Sequence, residues 1–553
     1  MGSKKGTRLN QPDRFSLTHN LVDVANHSIF PARVSVRDGV IEEIQRVEKA
    51  SNFLLPGFVD AHIHVESSML LPSEFARVAV RHGTVATVSD PHEIANVCGL
   101  DGVELMLRNA SQTNFKFCFG APACVPATTF ETAGATLNTH DVANLLADPR
   151  IGYLSEMMDF PGVLNGSPEI IAKIKSAQAN GKPVDGHAPG LRGDDAVRYF
   201  GAGISTDHEC FTKAEALDKL AAGCKIAIRE GSAARNFDAL ESLIDEFPDR
   251  IMLCSDDKHP DEFLLGHIDQ LVARAVAAGR DVMNVLRAAC LNPVEHYALN
   301  VGQLRVGDPA DFIVVDNLVD FRVAQTYLDG TLAAEHGRCL MPTTSTETLN
   351  HFVATPITPA QLTVPVRGNK IRVIEAIEGQ LITRCQIRDC IALEGQAVAD
   401  VETDLLKIVV VNRYQPAPPA IAFVTGFGLR SGAIASSVAH DSHNVVAVGT
   451  TDESLAAAIN AVIESNGGLA VTDDGSTQVL PLPVAGLMST ESGDSVGRKY
   501  SELDARIKSL GTPLRSPLMT LSFMPLLVIP SLKLSDQGLF DVDEFGFVSL
   551  FVD

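Results

Sequence analysis

Along residues 15–55 apolar and polar positions alternate with a period near two, as in the run Phe30-Pro-Ala-Arg-Val-Ser-Val-Arg-Asp-Gly-Val-Ile. Asp38-Gly39, set between two such runs, predicts the turn of a β-hairpin. From residue 57 to 295 the pattern changes. Short apolar runs, each ending in polar or acidic residues, begin at Phe58, Thr84, Phe115, Ile151, Pro183, Ile204, Lys225 and Ile251. Stretches of helical period separate them, among them Leu217 to Ala222 and Ile268 to Ala277. Eight such units in about 240 residues is the arithmetic of a (β/α)8 barrel, which carries its chemistry at the C-terminal ends of its strands. Period two returns after 295, in Val301-Gly-Gln-Leu and Gly307-Asp-Pro-Ala-Asp-Phe-Ile-Val-Val. These strands are expected to rejoin those of 15–55 in a small β domain that the barrel splits. The Thr- and Pro-rich stretch 342–359 reads as a linker, and the remainder as an α/β or α+β domain. The expected division is 1–56, 57–295, 296–345 and 346–553.

Composition narrows the class. Of 553 residues, 45% are hydrophobic and 20% charged, an ordinary globular balance. Lysine and arginine total 45 against 68 acidic residues, and the formal charge of −23 argues against nucleic acid as a partner. No apolar run reaches the roughly 20 residues that span a bilayer, so a membrane protein is excluded. The nearest, Leu518 to Leu532, is broken by Ser522, Pro525, Pro530 and Ser531 and reads as buried strand and turn. Residues 1–14 are polar, without a signal-type apolar stretch, and Gly6 breaks the myristoylation pattern. Ten scattered cysteines without a Cys-x-x-Cys pair read as free thiols in a reducing compartment, so a cytoplasmic location is expected.

The chemistry gathers at the ends of the barrel runs. His62-x-His64 on a strand sends both imidazoles to one face. His187, His208 and Asp256 end later runs, Glu156 ends another, and Asp90, His92 and Glu93 follow Val88-Ser89. A lone buried histidine is usually a satisfied core residue, but histidines gathered at several strand ends point to a metal site. Nitrogen and carboxylate donors together suit Zn, Fe or Mn rather than Ca or Mg. Outside the barrel, His440-Asp441-Ser442-His443-Asn444 is the densest polar cluster, readable as a solvated turn or as a site wall. Gly493-Asp-Ser495-Val-Gly497 matches a nucleophile-elbow string but reads as a helix-capping turn, and Gly426-Phe-Gly428 as a loop. The signature of the zinc nucleobase deaminases is absent.

Pro56-Gly-Phe-Val-Asp-Ala-His-Ile-His-Val-Glu-Ser-Ser-Met resembles the opening strand of the amidohydrolase superfamily in the form found in bacterial adenine deaminases. So do Asp90-Pro-His-Glu-Ile-Ala-Asn, Asp185-Gly-His-Ala-Pro-Gly-Leu, Arg229-Glu-Gly-Ser-Ala-Ala-Arg, Ser255-Asp-Asp and the block from His440 to His443. Near the C-terminus, Leu482-Pro-Val-Ala-Gly-Leu-Met-Ser and Val528-Ile-Pro-Ser-Leu-Lys-Leu-Ser extend the resemblance, which runs from about residue 20 to 550. It implies a binuclear enzyme, Mn or Fe with Zn as a further option, converting adenine and water to hypoxanthine and ammonia. The implied metal ligands are His62, His64, Glu156, His187, His208 and Asp256. Asp256 would also shuttle a proton, and Glu156 would bridge the metals or protonate N1 of the purine. If Glu156 bridges, Glu93 is the N1 donor. Asp90, His92, Arg229, Glu230, Ser232, His440, Asp441 and His443 would contact substrate, and the enzyme would be a homo-oligomer, a dimer or higher. One departure is Gly190, where many deaminases of the superfamily carry the Glu of His-x-x-Glu. The rival readings are a deaminase of N6-substituted adenine, a cyclic-amide hydrolase and a non-catalytic relative. Against the cyclic-amide hydrolase stands the lack of any lysine between Ile151 and Ala172 to serve as a carbamylated bridge.

Overall fold

Asp38 and Gly39, at φ of 50° and 82°, turn the chain between the antiparallel strands Ser28–Arg37 and Val40–Arg46, the expected hairpin. The computed structural model describes residues 14–232, 234–473 and 475–552; the polar run at 1–13 lies outside the described residues. The hairpin belongs to an eight-stranded sheet built from both sides of the central segment. Ser51–Pro56 leaves that sheet and Phe312–Val315 returns beside it, antiparallel, pairing Pro56 with Phe312 and Phe53 with Val315. Leu21, Val34, Leu54, Phe312 and Val314 form its core.

Between those two strands run β1 (Phe58–Ile63), β2 (Thr84–Ser89), β3 (Lys116–Ala121), β4 (Ile151–Met157), β5 (Val184–Gly186), β6 (Thr206–Asp207), β7 (Lys225–Arg229) and β8 (Ile251–Cys254). Each corresponds to one of the eight apolar runs. β1 to β5 form one parallel sheet and β6 to β8 another. Backbone hydrogen bonds join the two at both seams. Ser205 donates to Val184 (2.8 Å), and Asp256 donates to His62 (2.9 Å), so the curled sheet closes on itself. Strands covered on both faces favour apolar residues throughout, which is why β8, Ile-Met-Leu-Cys, reads as an unbroken run, while β2 admits only the small hydroxyl residues Thr84, Thr87 and Ser89 among its apolar ones. Ala61, Val88, Tyr153, Ala227, Met252 and Cys254, from five of the strands, pack together with Tyr297 inside the ring.

The C-terminal part is a nine-stranded sheet, antiparallel apart from the pair Lys370–Ala376 and Ala420–Thr425. One face carries the helix Asp452–Glu464, with Leu455, Ile459 and Val462 against Val409, Ala435 and Ala447. The alternate residues Ile408, Val410, Ile434 and Val446 join the main core that includes the barrel. The segment Leu518 to Leu532 departs from expectation: Pro517–Ser522 is a helix with proline at its start, turns follow, and only Leu532 begins a strand. A short apolar run buried on all sides has no periodicity to separate helix from strand. Ser492 caps the helix Gly493–Ser509, as the capping reading requires. All ten cysteines are unbridged, and no described helix is long and apolar enough to cross a membrane.

Behind the ring mouth, the buried Lys219 ammonium joins Asp207 (2.9 Å) and Glu215 (3.0 Å) and donates to the Ala188 carbonyl (2.7 Å). Asp207 in turn accepts from the amides of Ala188 and Glu209, so one ion pair fixes the ends of β5 and β6. Lys219→Ala leaves two buried carboxylates unpaired and is expected to cost about 3–5 kcal/mol in denaturant unfolding.

Candidate metal centre and active site

At the mouth of the ring the Glu156 carboxylate, from β4, faces five imidazoles. Its oxygens lie 3.1 Å from His187 Nδ1, 3.2 Å from His208 Nε2, 3.5 Å from His92 Nδ1, 3.7 Å from His64 Nε2 and 3.9 Å from His62 Nε2. Asp256 Oδ1 completes the cluster, 3.4 Å from His64 Nε2 and 3.9 Å from His62 Nε2. The His62 ring stacks on His208 at 4.0 Å and meets His64 edge-on at 4.9 Å. All of these side chains are buried except His187, which is nearly so.

Hydrogen bonds aim the groups. His64 donates from Nδ1 to the Asp90 carbonyl (3.2 Å), which turns Nε2 toward the carboxylates. Asp60 accepts from the amide of Ser255 (3.0 Å) and from His267 Nε2 (2.8 Å), tying β1 to β8. Asp256 has φ of 52°, an unfavourable value for a residue with a side chain, and the bond from its amide to His62 holds it there. Arg229 donates to Asp256 Oδ2 (2.7 Å) and forks onto Glu209. Burial pushes the Asp256 carboxyl up, but Arg229 and the neighbouring imidazoles outweigh it and hold it well below the usual carboxylate range.

Both ring nitrogens of His62, and Nε2 of His187, are buried without a hydrogen-bond partner. Buried polar atoms are nearly always satisfied, so orphaned nitrogens facing carboxylates mark a place built for cations. Overlapping groups there could each hold an ion, among them His62, His64 and Asp256; His62, Glu156 and His208; His64, Asp90, His92 and Glu156; and His187, His208 and Glu209. The donor set fits a borderline divalent metal.

The C-terminal sheet supplies one wall. His440 and His443 both reach Glu93, at the start of the helix His92–Ala110, and His440 Nδ1 lies 2.5 Å from Glu93 Oε1. The loop is anchored by Asn444, which donates to Thr132 O (2.9 Å) and accepts from the Arg413 amide (3.0 Å), and by Tyr414 on Ser442 O. It is buried, and it reaches the barrel mouth of its own chain. The Ala439 amide donates to His443 Nδ1 (3.1 Å), so His443 carries its hydrogen on Nε2 and gives it to Glu93. That tautomer leaves His443 no lone pair for a cation or a substrate donor. Burial opposes ionisation of Glu93, yet His440, His443 and His92 hold its carboxyl well below the usual range.

Not every expected residue joins the cluster. His92 does, with Nδ1 3.1 Å from Asp90 Oδ2, and Asp441 Oδ1 lies 3.9 Å from His92 Nε2. Arg229 sits behind Asp256. Glu230 points away, paired with Arg274 (2.6 Å), and Ser232 Oγ bonds Glu262 (3.0 Å) and the His259 amide (2.9 Å). Three carboxyls close to the cluster were not anticipated. Glu209 lies 3.5 Å from both His187 and His208, and Asp257 accepts from Ser67 Oγ (2.5 Å). Glu66, pushed up to about 7 chiefly by burial, has Oε2 unpartnered. The signal was proximity in sequence: Glu209 follows His208, Asp257 follows Asp256, and Glu66 lies two residues after His64.

The Amidohydrolase family model matches residues 53–333, the segment that contains the ring and its cluster. The chain is an amidohydrolase. A second model, the Adenine deaminase C-terminal domain, matches residues 380–546, which include the loop on Glu93. An adenine deaminase of Salinibacter ruber is 57% identical over 98% of this chain and 100% of its own length. One of Sulfurovum sp. is 54% identical over 96% and 98%. Within the amidohydrolases, the chain belongs to the adenine deaminase family. Among solved structures, a β-aspartyl dipeptidase of Fervidobacterium islandicum AW-1 covers 60% of this chain and 100% of its own, at 16% identity and a TM-score of 0.47; the assignment does not rest on it.

Proposed function

We propose that this chain deaminates adenine hydrolytically, yielding hypoxanthine and ammonia for purine salvage. The observation that carries this reading is the joining, in one chain, of the five-histidine cluster around Glu156 with a wall from the adenine deaminase C-terminal domain. In this reading residues 57–295 are a (β/α)8 metal-dependent hydrolase barrel, 1–56 and 296–345 the two parts of a split β domain, and 346–553 the C-terminal domain. His62, His64, Glu156, His187, His208 and Asp256 would hold two divalent cations, Mn or Fe, with Zn also compatible. Bound there, the cations would supply hydroxide from water at neutral pH.

The chain's own groups do the rest. Asp256, kept ionised by Arg229, accepts a proton and passes it to the exocyclic nitrogen, so that ammonia rather than an amide ion departs. Attack at C6 also needs a proton at N1. Despite its burial, Glu156, placed among the metal ligands, is held ionised by the surrounding histidines and brings no proton, and both Glu93 oxygens are committed to histidines, so we assign the N1 proton to neither of these two carboxyls. Asp90, His92, His440 and Asp441 line the substrate side. The unbridged cysteines suit a cytoplasmic enzyme, which we take to be a homo-oligomer.

Ammonia release from adenine, N6-methyladenine and a hydantoin tests the reading, with metal-free protein reloaded separately with Mn, Fe and Zn. Adenine is expected to have the highest kcat/KM, with hypoxanthine formed in equal amount to ammonia. Preferred turnover of the substituted purine or of the cyclic amide would overturn it.

A further inference from the structure

Two polar atoms of the C-terminal wall lack partners within the protein. His440 gives Nδ1 to Glu93, yet its Nε2 is buried and unpartnered, and Asp441 Oδ2 is in the same condition. They sit on adjacent residues of a loop held rigidly from both sides. Glu93 and His443 hold it on the barrel side, Asn444 and Tyr414 on the sheet side. Phe523 stacks on the His440 ring at 4.4 Å and 11°, which fixes its plane. Asp441 is one imidazole removed from the reacting centre, because His92 lies between its Oδ1 and Glu156. A purine needs a comparable span between its reacting six-membered ring and its five-membered ring.

A free purine base carries one N–H on its five-membered ring and a bare nitrogen beside it. A nucleoside carries a sugar in place of that hydrogen. A carboxylate oxygen accepts hydrogen bonds, so Asp441 Oδ2 matches the ring N–H on that edge. Resting on the adenine reading above, we propose that Asp441 Oδ2 accepts the ring N–H of the free base while His440 Nε2 meets a neighbouring ring nitrogen. This pair makes the site selective for bases over N9-substituted purines. Glu93 and His443 act as positioning residues that set the loop. His440, pushed up to about 9 by Glu93 and Asp257 in spite of its burial, carries hydrogens on both nitrogens and so presents Nε2 as a donor. Sites built to hydrogen-bond a substrate N–H reject analogues lacking it by about 10⁴-fold or more. Removing the acceptor removes most of that discrimination.

The experiment is calorimetric binding of the product hypoxanthine and of 9-methylhypoxanthine to metal-loaded wild type, Asp441→Ala and Asp441→Asn. It uses no turnover, so it stands apart from the deamination test. Wild type is expected to bind hypoxanthine at least a hundredfold tighter than the methylated base. In Asp441→Ala that ratio should fall below tenfold, mainly through weaker hypoxanthine binding, with Asp441→Asn, which keeps one acceptor oxygen, between the two. Equal weakening of both ligands, or an unchanged ratio, would overturn the assignment. Metal content and far-UV spectra verify each variant, and Asp441→Asn decides the question if the alanine variant does not fold.

Discussion

Glu156→Ala is expected to lose at least one equivalent of bound metal and at least about 10³-fold in kcat/KM for adenine, roughly 4 kcal/mol of transition-state stabilisation. The size follows from position. The carboxylate lies within 4 Å of five imidazoles and supplies much of the negative charge that would hold two cations together. Without it the carboxylates left facing the histidines include Asp256 and Glu209, and both are already engaged by Arg229. Glu156→Gln keeps the shape and removes the charge, so its metal loss should nearly match that of alanine. Elemental analysis with steady-state kinetics on the same preparations measures both effects. Full metal occupancy with kcat/KM within tenfold of wild type would leave Glu156 a bystander.

The second large effect is expected at Glu93. Glu93→Ala strips the acceptor from two buried imidazoles at once and frees the loop from the barrel. Leaving hydrogen-bonded, charged partners unpaired in the interior costs about 3–5 kcal/mol, so both stability and the substrate wall should suffer. The expected result is a fall of about 10²-fold in kcat/KM with metal content unchanged. Glu93→Gln separates positioning from acid catalysis. Its amide oxygen serves one histidine while its NH2 faces the Nε2–H of His443, so it should recover part of the loss. If Glu93 were the N1 acid, Gln and Ala would fail equally in kcat at every pH.

Much of this was legible in the sequence because parallel barrel strands are buried on both faces and end in polar residues. A short run such as Ile251–Cys254, followed at once by Ser255 and Asp256, therefore announces both the strand and the site beyond it. His62-x-His64 was legible for the same reason, since period two puts both rings at one mouth. Roles that depend on which way a side chain turns were not legible. Glu230 and Ser232 follow a strand end directly, yet both turn to partners outside the cluster. Glu93 reads as a catalytic acid from its place beside His92. That it bridges two histidines nearly 350 positions away is a tertiary fact that no local pattern carries. The Leu518 to Leu532 run failed as a strand because complete burial erases the periodicity that would have marked its helix.

Titrating metal-free protein with Mn(II), while following hypoxanthine formation from adenine, tests most directly whether paired cations at the Glu156 cluster support the deamination. Activity should be absent at the start, rise with added metal and level off at two equivalents per chain. Full activity in protein verified to be metal-free, or no hypoxanthine from protein carrying two equivalents, would contradict it.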